Sequence, residues 1–162
     1  MKKHTIETGY DLYAPGEILP DWAAPLVKAA ADASLKAYAP YSGFRVGAAV
    51  LLEDGTVVIG NNQENAAYPS GLCAERVALF SAHACYPEQK VKALAVFSGG
   101  KQGVSTNPPM PCGACRQVMA ETEAIFGLPF PVVSASADGT TIVFPSAEAL
   151  LPFAFKPEHL NW

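Results

Sequence analysis

The chain has 162 residues and a mass of 17.0 kDa, half of it apolar and 16% charged, which fits one globular domain and excludes disordered and fibrous classes. Eleven Lys and Arg against fifteen Asp and Glu leave a net charge of −4, a poor match to nucleic acid or any other polyphosphate. No apolar run approaches the roughly 20 residues of a membrane span, and Met1-Lys2-Lys3-His4-Thr5-Ile6-Glu7 lacks the apolar stretch of a secretory signal, so the expectation is a cytoplasmic protein acting on a small molecule.

In chain order, residues 1–20, with Gly9, Pro15, Gly16 and Pro20, read as a poorly regular arm, and residues 21–162 as the working domain. Asp21 is placed to cap a helix in which Pro25 occupies the first turn; Leu26, Ala30, Ala33 and Ala37 recur at helical spacing until Pro40. Arg45 to Leu52 and Thr56 to Gly60 are β-rich runs joined by Glu53-Asp54-Gly55, a hairpin signal. A helix from Cys73 to about Cys85 is predicted to turn Val77, Leu79, Phe80 and Ala84 inward. Lys92 to Ser98 reads as a buried strand closed by Gly99-Gly100. A loop from Gly99 to Pro111 leads to a helix over Cys112 to about Phe126. Val132 to Ser136 and Thr140 to Phe144 form strands turning on Ala137-Asp138-Gly139, and Pro145-Ser146 starts a short helix over Ala147 to Leu151 that Pro152 stops. The order α-β-β-α-β-α-β-β-α predicts an α/β fold, a three-layer α-β-α sandwich around a mixed five-stranded sheet with its first pair antiparallel.

Four cysteines, at positions 73, 85, 112 and 115, are a poor disulfide set in a chain with no visible secretory signal. Taken alone, Cys112-Gly113-Ala114-Cys115 could be half of a zinc site, a redox pair or chance. Cys73 and Cys112, however, both stand where a helix begins, and exposed amide N–H groups there favour thiolate over thiol. Three thiolates from Cys73, Cys112 and Cys115 leave one tetrahedral position of a Zn²⁺ ion open, the arrangement of catalytic zinc. Glu75, two residues after Cys73, can then move a proton between a water and a substrate nitrogen. A ligand-x-Glu element followed by Pro-Cys-x-x-Cys is the general signature of zinc deaminases. Cys85 carries no motif and is assigned to packing at a helix end, and His4, His83 and His159 show no ligand spacing.

With these residues the chain resembles the small, single-domain cytidine deaminases. The likeness runs from about Leu19 to Leu160 and includes Tyr41-Ser42-Gly43-Phe44-Arg45-Val46-Gly47-Ala48-Ala49, Gly60-Asn61-Asn62-Gln63-Glu64-Asn65-Ala66-Ala67-Tyr68, Cys73-Ala74-Glu75-Arg76, Pro111-Cys112-Gly113-Ala114-Cys115-Arg116-Gln117-Val118 and Leu150-Leu151-Pro152-Phe153-Ala154-Phe155. It implies that Asn62 and Glu64 hydrogen-bond the ribose, that Phe44 packs against the pyrimidine, that Ala66 and Tyr68 line the nucleoside pocket, and that Phe155 packs on the base. It implies a homotetramer whose subunits lend one another pocket residues, one Zn²⁺ per chain, and Arg76 beside the thiolates, where its charge offsets their excess. The departures are small: Val77 stands where the family often has Thr, and Ser70 and Leu72 differ from several relatives.

The reaction implied is hydrolytic deamination of cytidine and 2′-deoxycytidine, with zinc-bound hydroxide attacking C4 and Glu75 as general acid and base. Two other readings stand beside it. One is the same chemistry on another aminopyrimidine, such as blasticidin S or a polynucleotide; the other is a non-catalytic, zinc-stapled oligomerisation module. Glu64 and Arg76 speak against a blasticidin-type enzyme, and the acidic charge against a polynucleotide.

Overall fold

The architecture follows from two apolar faces on one sheet, each covered by helix. The computed structural model describes residues 1–99 and 106–160, so residues 100–105 of the expected loop before Pro111 lie outside the described residues. The elements are β1 (Asp11–Tyr13), α1 (Ala23–Ser34), β2 (Val46–Leu52), β3 (Val57–Asn61), α2 (Ala74–Cys85), β4 (Val91–Ser98), α3 (Gly113–Phe126), β5 (Val132–Ser136), β6 (Thr141–Phe144) and α4 (Ala147–Leu150), with short 3-10 turns at Tyr68–Ser70 and Pro157–Leu160.

Side chains alternate across a strand, and here the alternation separates two cores. Ala48, Val50 and Leu52 of β2, Leu94 and Val96 of β4 and Val132 of β5 meet Ala78, Leu79, Ala82, Cys115 and Met119 of α2 and α3. Ala49 of β2, Ala93 and Ala95 of β4 and Val133 of β5 meet Ala23, Leu26 and Ala30 of α1 on the opposite face. The predicted three-layer α/β sandwich is therefore present.

Among the described residues the sheet has six strands rather than the five expected, in the order β1-β6-β5-β4-β2-β3. Only β4 and β5 run parallel, joined through α3; the other neighbours are antiparallel. The extra strand comes from the arm read as irregular: Asp11, Leu12 and Tyr13 pair with Val143, Ile142 and Thr141. Tyr10 lies against the Phe144 ring with centroids 5.7 Å apart, and the Thr8 hydroxyl donates to the Ala149 carbonyl at 2.8 Å. The arm thus covers the edge of β6, where unpaired backbone groups would otherwise face a neighbouring molecule. Deleting residues 1–18 is expected to cost about 2 kcal/mol through lost pairing and burial and to raise self-association, with zinc content unchanged. Thermal melting, light scattering and metal analysis check this.

Other expectations shift for tertiary reasons. Asp21 does not cap α1; Trp22 holds the cap position, and the Ala23 N–H is taken by the Pro20 carbonyl at 2.8 Å. The helix stops at Ser34, leaving Ala37 outside it, because Tyr38 is drawn into a bridge: its N–H donates to the Asn62 carbonyl and its carbonyl accepts from the Glu64 N–H. In α2 the buried face is Ala74, Glu75, Ala78, Leu79 and Ala82, whereas Phe80 and Ala84 are exposed. Small residues face the sheet there because Gly60 lets the helix backbone come close: a Cβ at Gly60 would sit 2.5 Å from the Ala78 nitrogen and 2.6 Å from the Ala74 oxygen. Cys85 is exposed at the end of α2 rather than packed. The hairpin turns form as expected, with Gly55 and Gly139 at φ 90° and 94°, a conformation glycine adopts without steric cost. Among the described residues no helix is long and apolar enough to cross a membrane.

Candidate metal centre and adjoining cavity

Two helix N-termini converge on one point. Cys73 and Cys112 hold the cap positions of α2 and α3, both with extended backbone, and Cys115 is the third residue of α3. The Cys73 and Cys112 sulfurs are 3.8 Å apart, those of Cys112 and Cys115 3.4 Å, and all three lie within 4.8 Å of one another. Tetrahedral geometry with Zn–S near 2.3 Å spaces sulfurs by about 3.8 Å, so the donor set suits one zinc ion. Among the described residues this is the single cluster of three or more such donors.

The electrostatics of the cluster favour one shared charge. Cys73 is pulled down to about 5, chiefly by a hydrogen bond from Cys115, with Arg76 adding to the effect against desolvation. Cys115 is pushed far up, first by that same bond to Cys73 and then by burial and the Glu75 charge. The opposite directions have one origin: one proton leaves easily because the remaining thiols solvate the thiolate, and the next must leave against its charge. A divalent cation removes that obstacle, since metal binding deprotonates its thiol ligands.

Glu75 sits in the first turn of α2 and is 5% exposed. Burial pushes its carboxyl above the usual carboxylate range, and the Cys73 charge adds to the effect; a hydrogen bond from Cys115 works against both. A carboxyl so placed holds a proton more readily than one in water, a property suited to a group that takes and returns protons. The Arg76 guanidinium donates through Nη2 to the Gly71 carbonyl at 3.4 Å and reaches the Cys73 sulfur at 4.0 Å, so the expected neighbour of the thiolates is in place.

A cavity of about 490 Å³ opens beside Cys73 and Arg76; Tyr41, Ser42, Asn62, Glu64 and Tyr68 are among its walls. Asn62, Glu64 and Tyr68 thereby share a cavity with Cys73 and Arg76, whereas Glu75, Cys112 and Cys115 are not among its walls. Phe44, Ala66 and Phe155 are not among the lining residues; all three are exposed, Phe155 at 57%. Tyr41 and Ser42 belong to a motif visible in the sequence, but their part in the site was not. The Tyr41 and Tyr68 rings meet edge to face with centroids 6.2 Å apart.

Asn62 and Glu64 also hold the chain. Asn62 accepts from the Val46 N–H at 2.8 Å and donates to the Phe44 carbonyl at 2.9 Å. Glu64 accepts from the backbone N–H groups of Tyr41 and Ser42, at 2.9 and 3.2 Å, and from the Ser42 hydroxyl. These bonds, led by the hydroxyl, keep its carboxyl below the usual range. A carboxylate offers about four acceptor positions and an amide two donors and two acceptors, so each side chain keeps capacity for a ligand.

Comparisons with known proteins agree with this geometry. The family described as "Cytidine and deoxycytidylate deaminase zinc-binding region" matches residues 20–126. The cytidine deaminase of Halalkalibacterium halodurans is 43% identical over 136 residues, covering 84% of this chain and 96% of the relative. That of Sporosarcina psychrophila is 42% identical over 137 residues, covering 85% and 93%. The crystal structure of cytidine deaminase from Burkholderia pseudomallei superposes with a TM-score of 0.70 at 46% identity, covering 81% of this chain and 97% of that one.

Proposed function

The chain belongs to the cytidine and deoxycytidylate deaminase family, with Cys73, Cys112 and Cys115 as its zinc-binding site, and from that premise we propose that it hydrolyses cytidine and 2′-deoxycytidine to uridine and 2′-deoxyuridine plus ammonia. The observation that carries the reading is a buried carboxyl, Glu75, in the same helical turn that presents Cys73 to two further thiols spaced for one ion. Bound there, zinc supplies a Lewis acid that makes water a nucleophile near neutral pH.

The chain's own residues do the rest. Glu75 takes one proton of the attacking water and passes it to N3 of the pyrimidine as C4 becomes tetrahedral. It then takes the remaining proton from the new C4 hydroxyl and delivers it to the amine, which leaves as ammonia as the C4–N bond breaks and the C4 carbonyl forms. Arg76, beside the Cys73 sulfur, offsets the charge of three thiolates, which would otherwise weaken the acidity of the centre. The remaining capacity of Asn62 and Glu64 serves the ribose hydroxyls. Tyr68 and Ala66 flank the nucleoside, and Phe44 packs against the base. Phe155, exposed on its own chain, packs on the base of a neighbouring copy's substrate.

That assignment makes the working unit a homotetramer of such chains, with residues 21–162 as catalytic domain and residues 1–20 as accessory arm. Its partner is a free nucleoside in the cytoplasm, not a nucleic acid or a membrane. Incubating the zinc-loaded protein with cytidine, deoxycytidine, cytosine, CMP and blasticidin S tests the reading. Uridine and deoxyuridine are the expected products; no turnover of either nucleoside would sink it. Light scattering tests the assembly: a fully active monomer would remove Phe155 from the pocket.

A further inference from the structure

Phe155 comes from a segment with little regular structure, yet its backbone is held at both polar atoms by one side chain. The Gln117 amide donates through Nε2 to the Phe155 carbonyl at 2.6 Å, and its Oε1 accepts from the Phe155 N–H at 3.1 Å. Gln117 lies on α3 two positions after Cys115, so the clamp is built on the helix that begins at the thiol cluster. Arg116 ties the same tail further upstream: its Nε donates to the Pro111 carbonyl at 2.7 Å and its Nη1 to the Leu150 carbonyl at 2.9 Å. Beyond Phe155, the Lys156 N–H donates to His159 Nδ1 at 2.9 Å, which sets the His159 ring 5.4 Å from the Phe155 ring at 33°. One ring face of Phe155 is thus backed, while the side chain stays 57% exposed.

We infer that Gln117 is the positioning residue for Phe155, fixing the backbone from which that ring reaches the pyrimidine of a bound nucleoside. The inference rests on the proposed packing of Phe155 on the base. A two-point amide clamp removes rotation of the Phe155 peptide units without touching substrate, so its loss lowers the fraction of chains with the ring in place. That is a loss of binding shared by ground and transition states, which raises KM and leaves kcat alone.

The test compares Gln117→Met, which keeps length and helix propensity but deletes both bonds, with Phe155→Ala and the double variant, using cytidine as substrate. Gln117→Met is expected to raise KM roughly tenfold with kcat within about twofold of wild type and zinc content unchanged. The double variant is expected to be no worse than Phe155→Ala, because the clamp has nothing left to hold. An unchanged KM in Gln117→Met beside a raised one in Phe155→Ala would overturn the inference. So would fully additive effects, or kcat and zinc falling together. If Phe155→Ala itself leaves KM alone, the packing of Phe155 on the base is the reading that fails, and the inference falls with it. Should Gln117→Met not fold, Gln117→Glu, which loses the donor to the Phe155 carbonyl, is read in the same way.

Discussion

Glu75→Gln protein is expected to keep one zinc per chain and to lose roughly 10²- to 10⁴-fold in kcat, the range for removing a general acid–base group. The two side chains have nearly the same shape, so α2 and its Cys73 cap should be undisturbed; what is lost is the ability to hold and release a proton. The stability change separates this from simple damage. Burial raises the proton affinity of Glu75, so the folded protein binds that proton more tightly than the unfolded chain does. As pH rises from the unfolded value through the raised folded one, the native state loses stability relative to the unfolded state. Glutamine has no such term. In the zinc-free protein, Glu75→Gln should therefore melt no lower than wild type at pH 7, and its advantage should shrink toward pH 4. Metal analysis, steady-state rates and melting curves at the two pH values check the three parts. Retention of a tenth or more of the wild-type rate would remove Glu75 from the chemistry.

What the sequence discloses of this site, and what it hides, divides along physical lines. Cys73 with Glu75, and Cys112 with Cys115, are legible because each pair is local, two residues at the start of one helix and a Cys-x-x-Cys at the start of another. That the two pairs meet, 39 positions apart, follows in the sequence only from the chemistry of a shared metal. The hairpins are legible for the same reason, since Gly55 and Gly139 answer turn geometry within a few residues. The strand β1 is not, because three residues carry no useful period and their partner strand lies some 130 positions away. The burial of α2 is misread because Phe80 and Ala84 are apolar, whereas the sheet selects the small residues Ala74, Ala78 and Ala82 at the place where Gly60 lets the backbones approach. Asn62 and Glu64 stand out in the sequence as polar residues of a motif. That most of Glu64's acceptor capacity is spent on the Tyr41-Ser42 backbone and the Ser42 hydroxyl is a fact of tertiary structure. The tail is similar: Phe155 can be picked out, but the clamp from Gln117, 38 positions earlier, cannot.

Two adjacent glycine positions in the sheet should separate stability from metal binding. A Cβ on Gly47 would overlap the Ala30 carbonyl oxygen and stand 2.5 Å from the Ser34 nitrogen, both in α1. One on Gly60 would strike the Ala74 oxygen and the Ala78 nitrogen of α2, at 2.6 and 2.5 Å. In neither case is the obstacle a flexible side chain; it is helix backbone, which can yield only by moving the helix. Each alanine variant is therefore expected to lose about 3 kcal/mol or more, at the upper end for overpacking. The consequences for zinc differ. The helix displaced by Gly47→Ala carries no thiol, so its folded fraction should bind zinc with wild-type affinity. The helix displaced by Gly60→Ala begins at Cys73 and carries Glu75, while Cys112 and Cys115 ride on α3 and stay behind. The 3.8 Å spacing between the Cys73 and Cys112 sulfurs should then be lost, lowering zinc affinity at least tenfold and activity with it. Chelator competition on the folded fraction, read beside melting curves, distinguishes the two variants. Equal zinc affinity in both would mean that α2 can shift off the sheet without carrying its thiol away from the other two, and that the close approach at Gly60 serves packing alone.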